Sequence, residues 1–231
     1  WDNLGNVYER ITAIASGADA LAEESYKKAM EIDSKNPQEP VNIARGFLSA
    51  VDLYGAKDAG FRQDKLGRAR NYLEQSLKLK PDYAAAHFLL ATIAMREGKT
   101  QEMIERLEAA KLSAPFDSGL AFQLGLIYYQ SNQLEKARLE FERAIGINPD
   151  YSNARYFLGL IYDRLGYEEA AVAQFEKVSA LNPDNGEVKN ILNNLKAGLS
   201  ALENIVPPAQ PPAERLEAPV QESKKQEKLN R

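Results

Sequence analysis

The side chains able to do chemistry are few and poorly placed for it. His87 is the only histidine and there is no cysteine. A zinc site needs about four nitrogen or sulfur ligands, so the ordinary types are excluded, as are disulfides. Gly98-Lys99-Thr100 has the ending of a phosphate-binding loop. That motif requires a glycine five residues earlier, where Ile93 stands. Gly55 and Gly60 have the right glycine spacing but lead into Phe61-Arg62 instead of Lys-Ser/Thr. The paired carboxylates Glu23-Glu24 and Glu168-Glu169 are expected on helix surfaces, where charge is usually solvated. No nucleophile, base and oxyanion donor can be assembled, so the chain is expected to be non-catalytic and to need no cofactor.

Composition narrows the partners. The 29 basic and 33 acidic residues give a net charge of −4, which offers no case for nucleic acid, whose binding needs clustered basic surface. The run Lys224-Lys225 to Lys228 is broken by Glu227. No stretch approaches the roughly 18 apolar residues of a membrane span. The chain opens at Trp1, not Met, which leads us to expect a fragment or processed product.

Chemistry being absent, the informative pattern is one of spacing. Leu124-Gly125, Tyr128, Ala137, Phe141, Ala144 and Pro149 are followed, each 34 residues later, by Leu158-Gly159, Tyr162, Ala171, Phe175, Val178 and Pro183. A fixed period between 20 and 50 residues is the mark of stacked supersecondary units. The pattern resembles that of a helical-hairpin repeat, which implies units of two antiparallel helices, neither able to bury its apolar face alone. Gly125 and Gly159 fall mid-helix, where glycine costs about 1 kcal/mol against alanine. Close approach of the two helices of a pair would offset that cost.

These residues resemble the tetratricopeptide repeat, whose pattern runs Trp-x2-Leu-Gly-x2-Tyr, then Ala, then Ala-x3-Phe, then Pro. The resemblance implies an all-α fold, a right-handed superhelical solenoid of helix pairs. Residues 1–37 form one repeat-like unit, entered inside its first helix at Trp1, Leu4-Gly5 and Tyr8. Ala22, Tyr26 and Ala29 follow about five residues late. Residues 38–83 form an irregular unit with a first helix near 39–54 (Ile43-Ala44 and Phe47) and an insertion near 55–63. Repeats follow at 84–117, 118–151 and 152–185. Residues 186–203 form a capping helix with the stripe Val188, Ile191, Leu192, Leu195 and Leu199. Residues 204–231, with Pro207-Pro208, Pro211-Pro212 and Pro219, read as an extended, solvated tail.

In this family the fifth, ninth and twelfth positions of each first helix line a concave groove. Here they are Phe88, Thr92 and Met95, then Phe122, Leu126 and Tyr129, then Tyr156, Leu160 and Asp163. Arg96, Gln130 and Arg164 occupy the flanking thirteenth positions. The resemblance therefore implies an interaction scaffold that takes a protein or peptide ligand in an aromatic-striped groove, with arginines at its margin. The competing reading is that these rings pack on one another. The family's carboxylate clamp, built from Lys and Asn, is missing from these positions. Two further readings stand beside the scaffold. One is a subunit that binds other copies of itself, by stacking or by placing its tail in a neighbour's groove. The other is the soluble region of a larger membrane-anchored bacterial protein.

Overall fold

The helices follow from the periodic apolar positions, and their ends from local chemistry. The computed structural model describes residues 1–11, 17–54, 58–205 and 219–222. Among them are eleven α-helices and no strand. In order these are α1 (Asp2–Ile11), α2 (Ala18–Ile32), α3 (Gln38–Tyr54), α4 (Ala59–Leu79), α5 (Ala84–Arg96), α6 (Thr100–Ser113), α7 (Ser118–Gln130), α8 (Leu134–Ile147), α9 (Ser152–Arg164), α10 (Glu168–Leu181) and α11 (Gly186–Lys196). Helices α1 to α10 pack as consecutive pairs, α1 with α2 through α9 with α10.

Three pairs share one turn. Gly98, Asn132 and Gly166 adopt left-handed backbone, with φ of 71°, 57° and 78°. After each, the next amide reaches back five residues: Lys99 to the Ala94 carbonyl, Gln133 to Tyr128 and Tyr167 to Tyr162, each at 2.8 Å. This is the Schellman closure, which satisfies carbonyls left over at a helix end. Gly98-Lys99-Thr100 is therefore a helix stop followed by a helix start.

The chain divides into two compact units, Trp1–Pro115 and Phe116–Arg231. The first has its core around Tyr26, Ala44, Phe47, Leu66, Leu73 and Leu90. Ser76 donates its hydroxyl to the Pro37 carbonyl at 2.7 Å, tying α4 to the end of the first hairpin. His87 is buried, and its Nε2 donates to the Pro81 carbonyl at 2.8 Å. The second unit has its core in Leu124, Phe141, Ala154, Phe157, Leu158, Phe175 and Ile191.

Four details differ from the sequence expectations. The insertion expected near 55–63 is shorter, because α4 begins at Ala59: Asp58 accepts from the Phe61 amide at 3.0 Å, and this side-chain cap lets Gly60 start a helix. Residues 55–57 lie outside the described residues. The capping helix stops at Lys196, short of 203, because Gly198 turns left-handed with φ 73°. Leu199 is consequently off the helical stripe and exposed, while Val188, Ile191 and Leu195 are buried. Glu23 is not solvated: it is buried between Lys27, Arg68 and Tyr72, unlike exposed Glu24. Finally, part of the tail is not in solvent, since Val220 is 3% exposed. The remainder of the tail, 206–218 and 223–231, lies outside the described residues.

Candidate protein-interaction face

Helix periodicity places Phe122, Leu126 and Tyr129 on one side of α7, spaced i, i+4, i+7. All three are half-buried. Phe122 stacks on Tyr151, with ring centroids 5.0 Å apart, and packs at an angle on Phe141 and Phe157. Tyr129 meets the Phe157 ring edge-on at 5.6 Å. Arg164 lies over the Tyr129 ring at 5.6 Å and donates to Asn132 at 2.7 Å. Its guanidinium thus joins the end of α9 to the end of α7 while remaining exposed.

The corresponding residues of α9 are placed differently. Tyr156 is fully buried and Leu160 is 2% exposed. The Tyr156 ring stands edge-on to Phe157 and Phe175, and its hydroxyl donates to Glu187 on α11. Asp163 accepts from the Ala201 amide at 3.0 Å. The fifth-position ring of one repeat thus packs against the unit that follows: Phe122 on Phe157, Tyr156 on α11. Helix α11 and the turn after it cover the α9 set.

In the first unit, Phe88 and Thr92 are half-buried on α5, and the Thr92 hydroxyl donates to the Phe88 carbonyl at 3.1 Å. Met95 is 58% exposed. Arg96 is committed to α3, pairing with Asp52 at 2.8 Å. Among the described residues no group of His, Cys, Asp or Glu could hold a metal ion, and no helix is long and apolar enough to cross a membrane.

Tyr162 on α9 donates to Glu142 on α8 at 2.8 Å; burial together with that carboxylate pushes the phenol up to about 12. It stays neutral and acts as a tie between α8 and α9.

Sequence reasoning missed one cluster entirely. The segment Pro219–Glu222 is seated where α9 begins and α10 turns into α11. Glu222 accepts from the Ser152 and Asn153 amides at 3.0 and 2.7 Å and from the Asn153 side chain at 2.6 Å. Only the asparagines Asn153, Asn182 and Asn185 hinted at it, and surface asparagines are too common to read.

Helical hairpins packed in consecutive pairs on a 34-residue register define a helical-repeat protein. Models described as tetratricopeptide repeats match residues 61–124 and 152–185, and one described as TPR repeat matches 125–166. The chain belongs to the tetratricopeptide repeat family. It is similar to anaphase-promoting complex subunit 7 of Arabidopsis thaliana, at 27% identity over 118 residues. That match takes in 51% of this chain and 21% of the relative, so the chain spans about a fifth of that protein.

Among solved structures, the fold is similar to YrrB, described as a TPR protein with an unusual peptide-binding site. The TM-score is 0.62 at 21% identity, over 76% of this chain and 84% of that one. It is also similar to MamA from Desulfovibrio magneticus, with TM-score 0.54 and 21% identity, over 78% and 95% of the two chains. A tetratricopeptide repeat protein from Parabacteroides merdae gives 0.57 and 20%, over 70% and 60%.

Proposed function

We propose that the chain is a non-catalytic scaffold that binds an extended or helical peptide of a partner protein. On the second unit the contact face is Phe122, Leu126 and Tyr129, with Arg164 at its margin. Tyr156 and Leu160, buried on α9 where α11 follows, are not contacts. On the first unit the equivalent face is Phe88, Thr92 and Met95, with Arg96 beside it.

The observation that carries this reading is that Phe122, Leu126 and Tyr129 remain partly open although Phe157 of the next repeat packs against Phe122 and Tyr129. Rigid aromatic side chains already held by neighbours lose little entropy on binding. Aromatic residues and arginine supply most of the energy of protein interfaces. The peptide-binding site ascribed to YrrB supports the class of ligand.

The test is selection of peptides from a displayed random library against the full chain, followed by titration of the selected peptides against variants. Tyr129→Ala and Leu126→Ser should each weaken binding about tenfold or more, equivalent to 1.4 kcal/mol or above. Affinity unchanged in both variants removes α7 as the contact face.

A further inference from the structure

Helix α9 starts without a side-chain cap of its own, as α5, α6, α8 and α10 also do, and a carboxylate from elsewhere in the chain takes its first amides. Helix α7 is capped by its own Asp117, which accepts from the Leu120 amide at 2.9 Å, and α11 by Asn185, which accepts from Val188 at 3.1 Å. Helix α9 has Tyr151 at that position, with no side-chain cap. Its first amides are left for another group, and a helix N-terminus favours negative charge. Glu222 supplies it, one carboxylate oxygen on Ser152 and the other on Asn153.

The asparagines around it read backbone. Asn153 is 5% exposed; its side chain donates to the Val220 carbonyl at 3.1 Å and accepts from the Val220 amide at 3.4 Å. Asn182 accepts from the Gln221 amide at 2.9 Å, and Asn185 donates to the Pro219 carbonyl at 3.0 Å. Val220 is buried beside them. The preceding repeat has no such set. Gly119 stands in the register of Asn153, and Asn148, in the register of Asn182, takes the amide of its own neighbour Asp150. A buried asparagine with both ends used on one residue's main chain fixes an extended segment regardless of its side chain. The pocket for Val220 and the anion seat at α9 then select an apolar residue followed two places later by an acid.

We propose that this edge is a second peptide site, specific for an extended apolar-x-acidic segment, and that Val220-Gln221-Glu222 fills it as an intramolecular ligand. A cavity of about 380 Å³ borders Gln221, Asn182 and Asp184, so the middle position accepts a larger side chain than glutamine. The tail thereby holds the site closed to any partner segment of the same pattern until it is displaced. The site adjoins the α7 face at Tyr151, which stacks on Phe122, but shares no residue with that face, and Tyr129→Ala leaves its hydrogen bonds in place.

The test uses a fluorescent peptide spanning residues 217–225, titrated by polarisation against the full chain. Wild type, its own segment seated, should bind the peptide at least about tenfold more weakly than the Val220→Asp/Glu222→Lys variant, whose tail cannot compete. Adding Asn153→Ala to that variant should remove binding, with the helical circular dichroism retained. Changing the peptide instead of the protein avoids any folding defect: Glu to Gln or Val to Asp in the peptide should each cost about tenfold or more. Equal affinity for wild type and tail variant, or indifference to the peptide's valine and glutamate, overturns the proposal. Sedimentation of wild type as a dimer at micromolar concentration would place the segment in a second copy and overturn the intramolecular assignment.

Discussion

Gly159 lies against the ring of Phe175 so closely that a Cβ on the glycine would stand 2.6 Å from Cε2 of that ring. The same relationship joins Gly5 to Tyr26 at 2.6 Å and Gly125 to Phe141 at 2.8 Å. Where the second helix carries leucine instead, at Leu73 and Leu107, the first helix carries alanine, at Ala44 and Ala91, and all four are buried. The chain thus uses two matched pairs at one register position, glycine with a ring and alanine with leucine.

Exchange of one pair for the other should therefore be compensating. Gly159→Ala gains about 1 kcal/mol of helix propensity but overpacks the ring at a cost of about 1–3 kcal/mol. Its expected net effect is destabilisation of up to about 2 kcal/mol. Combined with Phe175→Leu, the pair should show a favourable coupling of about 0.5–3 kcal/mol in urea unfolding. Strictly additive effects would mean that glycine and ring do not constrain one another. Phe175→Ala, which leaves the glycine facing a void, should cost about 3–5 kcal/mol.

Acid should loosen the first unit through Glu23. Burial works against its charge, but Lys27, Tyr72 and Arg68 together hold the carboxyl below its ordinary value. A lowered folded value means stability that is present above the unfolded value and lost as pH falls through the folded one. Glu23→Gln should lower the thermal midpoint at pH 7 and lose less than wild type between pH 5 and pH 3. Glu24→Gln, at a fully exposed position, is the control and should change little. Parallel pH profiles for wild type and Glu23→Gln would contradict the assignment.

Tyr156 is predicted to hold α11 and not to touch a ligand. Tyr156→Phe removes the hydroxyl donated to Glu187 and should cost about 1.5–3 kcal/mol, the range for a bond to a charged group. Hydrogen exchange should then rise across Gly186–Lys196, with peptide affinity at α7 unchanged. Exchange confined to its wild-type level would show that the contact contributes nothing.

The helical hairpins were legible because they rest on local and periodic signals. Leu-Gly and Ala-x3-Phe recur at a fixed distance, and Gly98 and Gly166 stop helices where left-handed backbone is needed. The helix near 39–54 was likewise readable from Ile43, Ala44 and Phe47. The start of α4 was not, since the cap that sets it is a single bond from the Phe61 amide to Asp58 inside a glycine-containing stretch that carries no periodic mark. Periodicity also placed Tyr156 and Leu160 on the same side of a helix as Phe122 and Leu126, which holds for the helix alone. Their burial depends on α11 and Ala201, which only the folded arrangement brings over them. The seat of Val220 and Glu222 was invisible for the same reason. It joins residues about seventy positions apart through asparagines that carry no periodic mark.

Photo-crosslinking tests the interaction account most directly. A selected peptide carrying a benzophenone would be bound to the full chain, irradiated, and the modified residues mapped by mass spectrometry. The account predicts adducts on α7 at Phe122, Leu126 or Tyr129, and none on the exposed apolar residues of the second helices, Leu139 and Leu181. Adducts concentrated on Leu139 and Leu181, with α7 unlabelled, would contradict it.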